Sequence, residues 1–229
     1  MDLKNKVIIL TGAARIGIDV GKTLLNQGAK LAVTYLNNKP DLGDVLYLHG
    51  DLSKPDDVDK IVAETKKQFG KIDGLIHMAA IYPRTPWATV NEKDWDTNMN
   101  VIAKSAFLIA KAVSKEMTEG KMIFISDWSV LDQPYKDYLP YNVAKSAVVG
   151  LTKSLAKELA PKISVNAIAP GPILMPPDLS KEDNDEVMKN TPLQKWGGEH
   201  EISKAILYLL DADFVTGQIL YVDGGRSIA

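Results

Sequence analysis

The stretch that decides the fold covers residues 6–17 and reads Lys6-Val-Ile-Ile-Leu-Thr11-Gly12-Ala-Ala-Arg15-Ile16-Gly17. Its first six residues form a short apolar run rich in β-branched side chains, which is typical of a strand covered on both faces. A turn of small residues follows, and apolar residues at helical spacing begin at Ile18. A strand, a tight turn and a helix in this order predict the start of a βαβ unit.

The turn between this strand and this helix also has the properties of a phosphate-binding loop. Gly12 permits the tight turn, and Gly17 lets the backbone approach a ligand closely. The free N–H groups and the dipole of the helix N-terminus attract an anion. The turn therefore predicts a nucleotide site. The alternative is an ordinary turn, because two glycines are a weak signal by themselves.

Six further apolar runs of strand length follow, and most are separated by segments of helical period. The predicted strands after the first are Lys30–Leu36, Val45–His49, Ile72–His77, Lys121–Ser126, Ile163–Ala167 and Gln218–Val222, and the predicted helices are Ile18–Asn26, Pro55–Phe69, Asp94–Thr118, Tyr141–Leu159 and Glu199–Asp211. This alternation predicts an α/β fold, a three-layer, doubly wound, Rossmann-type parallel sheet of about seven strands. Residues 1–229 contain no linker, so we expect a single domain.

Two segments do not fit a regular alternation. Residues 37–44 are too short and too broken for a normal crossover helix, so this helix is either lost or reduced to one turn. Residues 170–180 contain four prolines and predict a loop or lid.

Composition excludes several classes of function. The chain has no cysteine and three widely separated histidines, so we expect no disulfide, no thiolate chemistry and no metal site. A net charge of −2 provides no basic field for nucleic acid. No apolar stretch approaches 18 residues and no signal sequence precedes the first strand, so we expect a cytoplasmic protein without a membrane partner. Residues 17–23 resemble a P-loop but are one residue too short, which argues against a nucleotide triphosphatase.

The residues after the second strand indicate which dinucleotide the site prefers. A carboxylate there would bind the ribose hydroxyls of NAD, whereas a cation suits the 2′-phosphate of NADP. The strand is followed by Asn37, Asn38 and Lys39, and the first carboxylate is Asp41. With Arg15 and Lys39 as nearby cations, the sequence favours NADPH.

Tyr141 and Lys145 place a phenol and an ammonium group four residues apart on one helix face. We expect the lysine charge to lower the pKa of the phenol, which could then give a proton to a substrate atom beside a carbon that receives a hydride. The spacing alone is weak evidence, because one such pair is expected by chance and Tyr35 with Lys39 forms a second. The start of an apolar helix favours Tyr141.

Taken together, these segments resemble the short-chain dehydrogenase/reductase family along nearly the whole chain. The matching segments are Thr11–Arg15, Asp51-Leu52, His77–Ala80, Tyr141 with Lys145, Asn166–Gly171 and Gly217–Gly225. The resemblance implies that Lys145 holds the nicotinamide ribose and that the rest of the cofactor contacts the phosphate loop and three later segments. These cofactor residues are Gly12, Arg15, Ile16, Gly17, Asp51, Leu52, Ala79, Ala80, Tyr141, Lys145, Pro170, Gly171 and Ile173. It also implies a homo-oligomer, a tetramer or dimer, built through the two long central helices and the last strand.

Asp127 and the segment 82–86 resemble the pteridine-reductase branch of that family. The family's catalytic serine lies near Ser126-Asp127-Trp128-Ser129, and an aspartate there suits protonation of a C=N nitrogen better than a forming alkoxide. Tyr82 and Trp128 are the predicted substrate contacts. Asp127 is otherwise a turn residue at a strand end, and a serine in the family position would favour a carbonyl substrate instead.

The sequence also departs from the family pattern at three places. The glycine loop is one residue short, with Ile16 where a glycine is usual. His77 begins a segment that is usually Asn-Asn-Ala-Gly, and we predict a packed strand-end histidine there. Ile102 replaces a helix asparagine; Asn98, one turn earlier, either substitutes for it or faces solvent. We predict packing roles for Trp87 and Trp95.

The sequence therefore predicts an NADPH-dependent oxidoreductase that transfers a hydride to a C=N or C=O bond of a small molecule, with a pteridine-type heterocycle favoured. Within enzymes, the alternative is a 3-oxoacyl or other ketone or alcohol oxidoreductase. The shortened loop and Ile102 motivate a second alternative, an NAD(P)-binding regulator or scaffold with vestigial activity.

Overall fold

Seven parallel strands form one sheet in residues 1–130 and 133–229, the part of the chain that this computed structural model describes. They are β1 (Val7–Thr11), β2 (Lys30–Tyr35), β3 (Leu46–His49), β4 (Gly74–His77), β5 (Gly120–Ile125), β6 (Ile163–Pro170) and β7 (Ile219–Val222). They pair in the order β3-β2-β1-β4-β5-β6-β7. This arrangement confirms the predicted doubly wound, Rossmann-type sheet in a single domain.

Helices cover both faces of the sheet. They are α1 (Ile16–Asn26), α2 (Pro55–Phe69), α3 (Glu92–Asn98), α4 (Ser105–Glu116), α5 (Leu139–Leu159), α6 (Lys181–Lys189) and α7 (Glu199–Asp211). The segment 37–44 contains no helix, which is the first of the two predicted alternatives. Helix α6 was not predicted; its mostly charged sequence leaves none of its residues fully buried.

Alternating side chains of the buried strands serve two separate cores. In β1, Ile9 packs into the core beneath α2, α4 and α5, whereas Ile8 and Leu10 pack into the core beneath α1 and α7. All three side chains are fully buried. A strand with apolar residues on both faces is expected where helices cover both sides of a parallel sheet.

The predicted helix Asp94–Thr118 is interrupted in its first half. A π-helical segment, Met99–Lys104, separates α3 from α4. Such segments insert one extra residue per turn and are frequent at functional sites. The Ser105 hydroxyl donates to the Val101 carbonyl across this segment, at 2.6 Å. Val101, within this segment, and Ser105, directly after it, line a cavity at the carboxyl ends of the central strands.

Two predicted packing residues are on the surface instead. Trp87 is 77% exposed and Trp95 is 40% exposed. Trp87 lies in the segment that leads into α3, and Trp95 lies on α3 itself. Within the described residues, we find no helix with the length and hydropathy that a membrane span requires.

Candidate active site

A cavity of about 830 Å³ opens at the carboxyl ends of β1, β4, β5 and β6. In a doubly wound sheet this edge is where ligands bind, beside the point where the strand order reverses. The cavity brings together all of the predicted site residues. They are Gly12, Arg15, Ile16, Gly17, Asp51, Leu52, Ala79, Ala80, Tyr82, Asp127, Trp128, Tyr141, Lys145, Pro170, Gly171 and Ile173.

The loop after β1 has the geometry of a phosphate cradle despite its missing residue. Gly12 has φ +67°, and a Cβ there would lie 2.5 Å from the Ala79 nitrogen. A Cβ on Gly17 would lie 2.5 Å from the Gly12 carbonyl oxygen. Arg15 has φ +48°, a conformation that usually needs glycine, and α1 begins directly after it. No side chain caps this helix. The Gly17 and Ile18 N–H groups donate to the carbonyl oxygens of Ala14 and Arg15, and among the described residues the Ile16 N–H has no such partner and is available to an anion.

One of the two predicted cations lies elsewhere. The Lys39 ammonium sits 4.1 Å from the centroid of the Tyr47 ring, and Lys39 is not part of the cavity wall. A cation–π contact on β3 accounts for this position. Arg15, Asn37 and Asn38 do line the cavity, so Arg15 is the one of the two predicted cations that forms part of its wall.

Asp127 makes the direct contact with the predicted catalytic phenol. The Tyr141 hydroxyl donates to Asp127 Oδ2 at 2.7 Å. Asp127 Oδ1 accepts from the Ser129 backbone N–H at 2.9 Å and from its hydroxyl at 2.8 Å. The Ser126 hydroxyl instead donates to the Lys145 carbonyl oxygen at 3.1 Å. Of the three candidates in this segment, only Asp127 is therefore bonded to the phenol.

The prediction that Lys145 lowers the pKa of Tyr141 below its usual value is wrong for this arrangement. Burial raises the pKa of Tyr141, and the Asp127 carboxylate raises it further, because both disfavour a phenolate. The Lys145 ammonium donates to the Ile125 carbonyl oxygen at 2.7 Å, rather than to the phenol. Burial lowers the pKa of Lys145 to about 8, although Asp127 acts in the opposite direction. Tyr141 is therefore a protonated donor at neutral pH.

His77 is the centre of a buried hydrogen-bond chain that the sequence did not indicate. The Thr11 hydroxyl accepts from the Met78 and Ala79 N–H groups and lies 3.0 Å from His77 Nδ1. Ser105 Oγ lies 3.2 Å from Nε2 and gives its own proton to Val101. The network thus assigns a neutral ring with its proton on Nε2. It joins the loop after β4 to the π-helical segment.

This buried histidine makes stability depend on pH. Burial and the nearby Lys145 charge lower the pKa of His77 to about 3, against 6.5 in the unfolded chain. Below pH 6.5 the unfolded state binds the extra proton, so stability is present above that pH and lost as pH falls toward 3. We expect this histidine to lower the free energy of unfolding by about 2 kcal/mol between pH 7 and pH 5.

Urea unfolding at the two pH values measures this effect in the wild type, His77→Gln and His200→Gln. His200 is exposed, so its variant serves as the control and should keep the full pH dependence. The His77 variant should lose most of it. Equal pH dependence in all three proteins would contradict the assignment.

Asn98 lies one turn before Ile102, which stands where the family pattern has a helix asparagine. Asn98 is fully buried, so the second of the two predicted alternatives, that it faces solvent, is wrong. Its Nδ2 donates to the Asp94 carbonyl oxygen at 2.9 Å, and its Oδ1 has no hydrogen-bond partner among the described residues. Ile102 is also buried. The interrupted helix therefore carries both side chains inward.

Aromatic rings form the wall around Tyr141. Tyr82 stacks on Tyr138 at a centroid distance of 4.3 Å and meets Tyr141 edge-on at 4.7 Å. The Trp128 indole N–H donates to the Tyr135 hydroxyl at 2.6 Å. Tyr82 and Trp128 were predicted from the sequence, but Tyr135 was not. The density of tyrosines between residues 135 and 141 is a signal that would have found it.

Sequence comparisons place these features in a known family. A family model described as enoyl-(acyl carrier protein) reductase matches residues 12–227. The chain is 33% identical over 247 residues to the (2S)-[(R)-hydroxy(phenyl)methyl]succinyl-CoA dehydrogenase subunit BbsD of Thauera aromatica, covering 100% of this chain and 99% of that protein. It is 34% identical over 248 residues to the 3-oxoacyl-[acyl-carrier-protein] reductase FabG of Buchnera aphidicola, covering 98% of each.

Structure comparison gives the same relationship. A short-chain dehydrogenase/reductase structure from Brucella melitensis, titled glucose/ribitol dehydrogenase, superposes with a TM-score of 0.92 at 30% identity and covers 98% of both chains. The matches therefore extend over the whole sheet and both ends of the cavity. The chain belongs to the short-chain dehydrogenase/reductase family of NAD(P)-dependent oxidoreductases.

Proposed function

We propose that this protein is an NADPH-dependent reductase of a C=N bond in a flat, pteridine-type heterocycle. The observation that carries the proposal is the hydrogen bond from the Tyr141 phenol to the Asp127 carboxylate. A carboxylate at this point repels a forming alkoxide, whereas it stabilises a protonated C=N nitrogen or the N–H of the product. Tyr141 delivers the proton to nitrogen, and Asp127 then accepts a hydrogen bond from the new N–H.

The cavity wall supplies the contacts that the cofactor requires. Gly12, Gly17 and the N-terminus of α1 would receive the pyrophosphate, and Asp51 would face the adenine side. Asp51 is already oriented, since it accepts from the Ser53 backbone N–H and hydroxyl. When bound, the reduced nicotinamide supplies the hydride. The absence of an acidic residue from residues 36–40, directly after β2, together with Arg15 at the cavity, supports NADPH over NADH.

The phosphate loop provides a direct test of cofactor binding. Gly12→Ala places a methyl group against the Met78–Ala79 backbone, so we expect at least a tenfold weaker affinity for NADPH, measured by titration of the thermal unfolding temperature. Gly70→Ala is the matched control. Gly70 has a similar φ of +77°, but a Cβ there would have no atom within 4 Å. Binding by the Gly12 variant within twofold of the control would show that NADPH does not use this loop.

A ketone reductase is the second candidate. The relative in Buchnera aphidicola is named a 3-oxoacyl reductase, which favours a 3-oxoacyl thioester or another ketone. In that case Ser129, whose hydroxyl is bonded to Asp127, would need to turn toward the substrate. The present arrangement instead aims Asp127 at Tyr141, which supports the C=N substrate.

Steady-state oxidation of NADPH tests the proposal. We expect purified protein to reduce 7,8-dihydrobiopterin with a kcat/KM at least tenfold above that for acetoacetyl-CoA, and to prefer NADPH to NADH. Activity on ketones alone would overturn the heterocycle assignment. Thermal stabilisation by NADPH without turnover on either class would favour the regulator or scaffold.

We also propose that the protein is a homo-oligomer. Trp95 on α3, Phe107 on α4 and Val143 on α5 are 40%, 45% and 38% exposed, so the central helices present apolar side chains to solvent. Light scattering should give a mass that is a multiple of 25.1 kDa, and a monomer at micromolar concentration would contradict this proposal.

A further inference from the structure

Arg226 is a cation in the cavity wall. It was not predicted from the sequence, and it has no role in the proposed reaction. It lies on a short turn of helix, Arg226–Ile228, after β7, and its side chain is half-buried. The guanidinium carbon is 5.0 Å from the centroid of the Trp128 ring. One guanidinium nitrogen, Nη1, donates to the Val187 carbonyl oxygen at 2.9 Å and to the Thr191 hydroxyl at 3.3 Å.

The Arg226 guanidinium forms no ion pair within 4 Å in the described part of the chain. Its two acceptors are a carbonyl and a hydroxyl, both neutral, and none of the ion pairs within residues 1–130 and 133–229 includes Arg226. A guanidinium has five N–H donors in a planar fork. The hydrogen bonds found in those residues use only Nη1, so the donors of Nε and Nη2 remain for a ligand.

Arg226 and Asp127 carry opposite charges and have opposite effects on the pKa of Tyr135. Burial and the Asp127 carboxylate raise the pKa of Tyr135, whereas Arg226 lowers it. Tyr135 is also bonded to Trp128, the ring over which Arg226 lies. The cavity wall therefore has a carboxylate bonded to Tyr141, a guanidinium over the Trp128 ring, and the Tyr135 ring within electrostatic reach of both charges.

We propose that Arg226 is an anion subsite, and that the substrate is a flat heterocycle whose tail carries a carboxylate or phosphate. A planar fork with free donors suits both anions, and a partly desolvated guanidinium gains more from such a pair than one in water. The ring would stack among the aromatic side chains with its nitrogen toward Asp127, which places a tail on the Arg226 side. This inference rests on the proposed function for the identity of the ring, and on Arg226 for the charge.

Binding of paired ligands to the NADP⁺ complex tests the subsite. Folate and biopterin share the pterin ring, but only folate has a carboxylate tail; neopterin phosphate supplies the phosphate arm. We expect the wild type to bind at least one anionic pterin at least tenfold more tightly than biopterin, in calorimetric Kd values. Whichever of folate and neopterin phosphate shows the larger preference over biopterin identifies the anion as a carboxylate or a phosphate. Arg226→Gln should remove that preference, and Arg226→Lys should restore part of it.

A matched control separates a local contact from general charge. Lys189 is an exposed lysine of α6, two residues from Val187 and outside the cavity wall, so Lys189→Gln removes the same charge nearby. We expect this variant to keep the preference for the anionic pterin. If Arg226→Gln instead weakens both pterins equally, Arg226 only ties α6 to the cavity wall and the subsite is wrong.

A second ligand pair keeps the inference testable without any pterin. If no pterin binds the wild type, the proposed function is wrong, but 2-naphthoate and 2-naphthamide still report the subsite, because they differ mainly in charge. A preference for naphthoate that Arg226→Gln abolishes would support the subsite. Equal binding of the two by the wild type, or a preference that survives in Arg226→Gln, would overturn it.

Discussion

Tyr141→Phe is expected to lower kcat for the preferred substrate about 10³-fold, in the range that a positioned general acid contributes. The variant loses one hydroxyl, whose only hydrogen bond in the described structure is to Asp127, and it keeps the buried ring. NADPH binding should therefore change little, as measured by the rise in unfolding temperature at saturating cofactor.

Tyr208→Phe is a matched control for this experiment. Tyr208 is 55% exposed on α7 and does not line the cavity, so the loss of its hydroxyl should leave kcat unchanged. Wild-type turnover by Tyr141→Phe would show that the proton comes from another group. Loss of NADPH binding in the same variant would show a structural defect instead.

Asp127→Ser is expected to change the substrate class. The substitution places the family's usual residue beside Tyr141 and removes the carboxylate that raises the pKa of that phenol. We expect the ratio of kcat/KM for dihydrobiopterin to that for acetoacetyl-CoA to fall about 30- to 100-fold, which corresponds to the loss of one charge-assisted interaction of about 2–3 kcal/mol.

Asp57→Asn is a control for removal of a carboxylate elsewhere. Asp57 accepts from the Asp51 backbone N–H at 2.8 Å, outside the reacting end, and its loss should leave the substrate ratio unchanged. An unchanged ratio in Asp127→Ser would contradict the role of Asp127 in substrate choice. The measurement is a pair of steady-state assays for each protein.

The fold followed from residue patterns, because the patterns report burial and chain direction, whereas most residues of the cavity wall were predicted from the resemblance to the family. The alternation of apolar runs predicted the sheet, and the positions after β1, β4, β5 and β6 predicted the residues at one edge. Local signals of this kind can be read without knowing the distances between side chains. For the same reason, the loop of residues 37–44 and the segment of 170–180 were recognised from their prolines and their length.

The electrostatic state of the site did not follow from patterns. The spacing of Tyr141 and Lys145 indicated a lowered pKa for the phenol, but its sign depends on which group is bonded to it and how deeply it is buried. The same limit applies to Lys39, which contacts Tyr47, and to Arg226, whose position after β7 becomes meaningful only when Trp128 is seen beneath it. The π-helical interruption was likewise not predicted, because the helical spacing of apolar residues does not reveal it.

The most direct measurement is a crystal structure of the protein with NADP⁺ and dihydrobiopterin bound together. The account predicts a pterin nitrogen within about 3.2 Å of the Tyr141 hydroxyl oxygen, beside Asp127 and over the nicotinamide ring. A pterin ring bound elsewhere would contradict it. So would a dinucleotide that lies outside the Gly12 loop, or a Tyr141 hydroxyl more than about 5 Å from both the pterin and the nicotinamide.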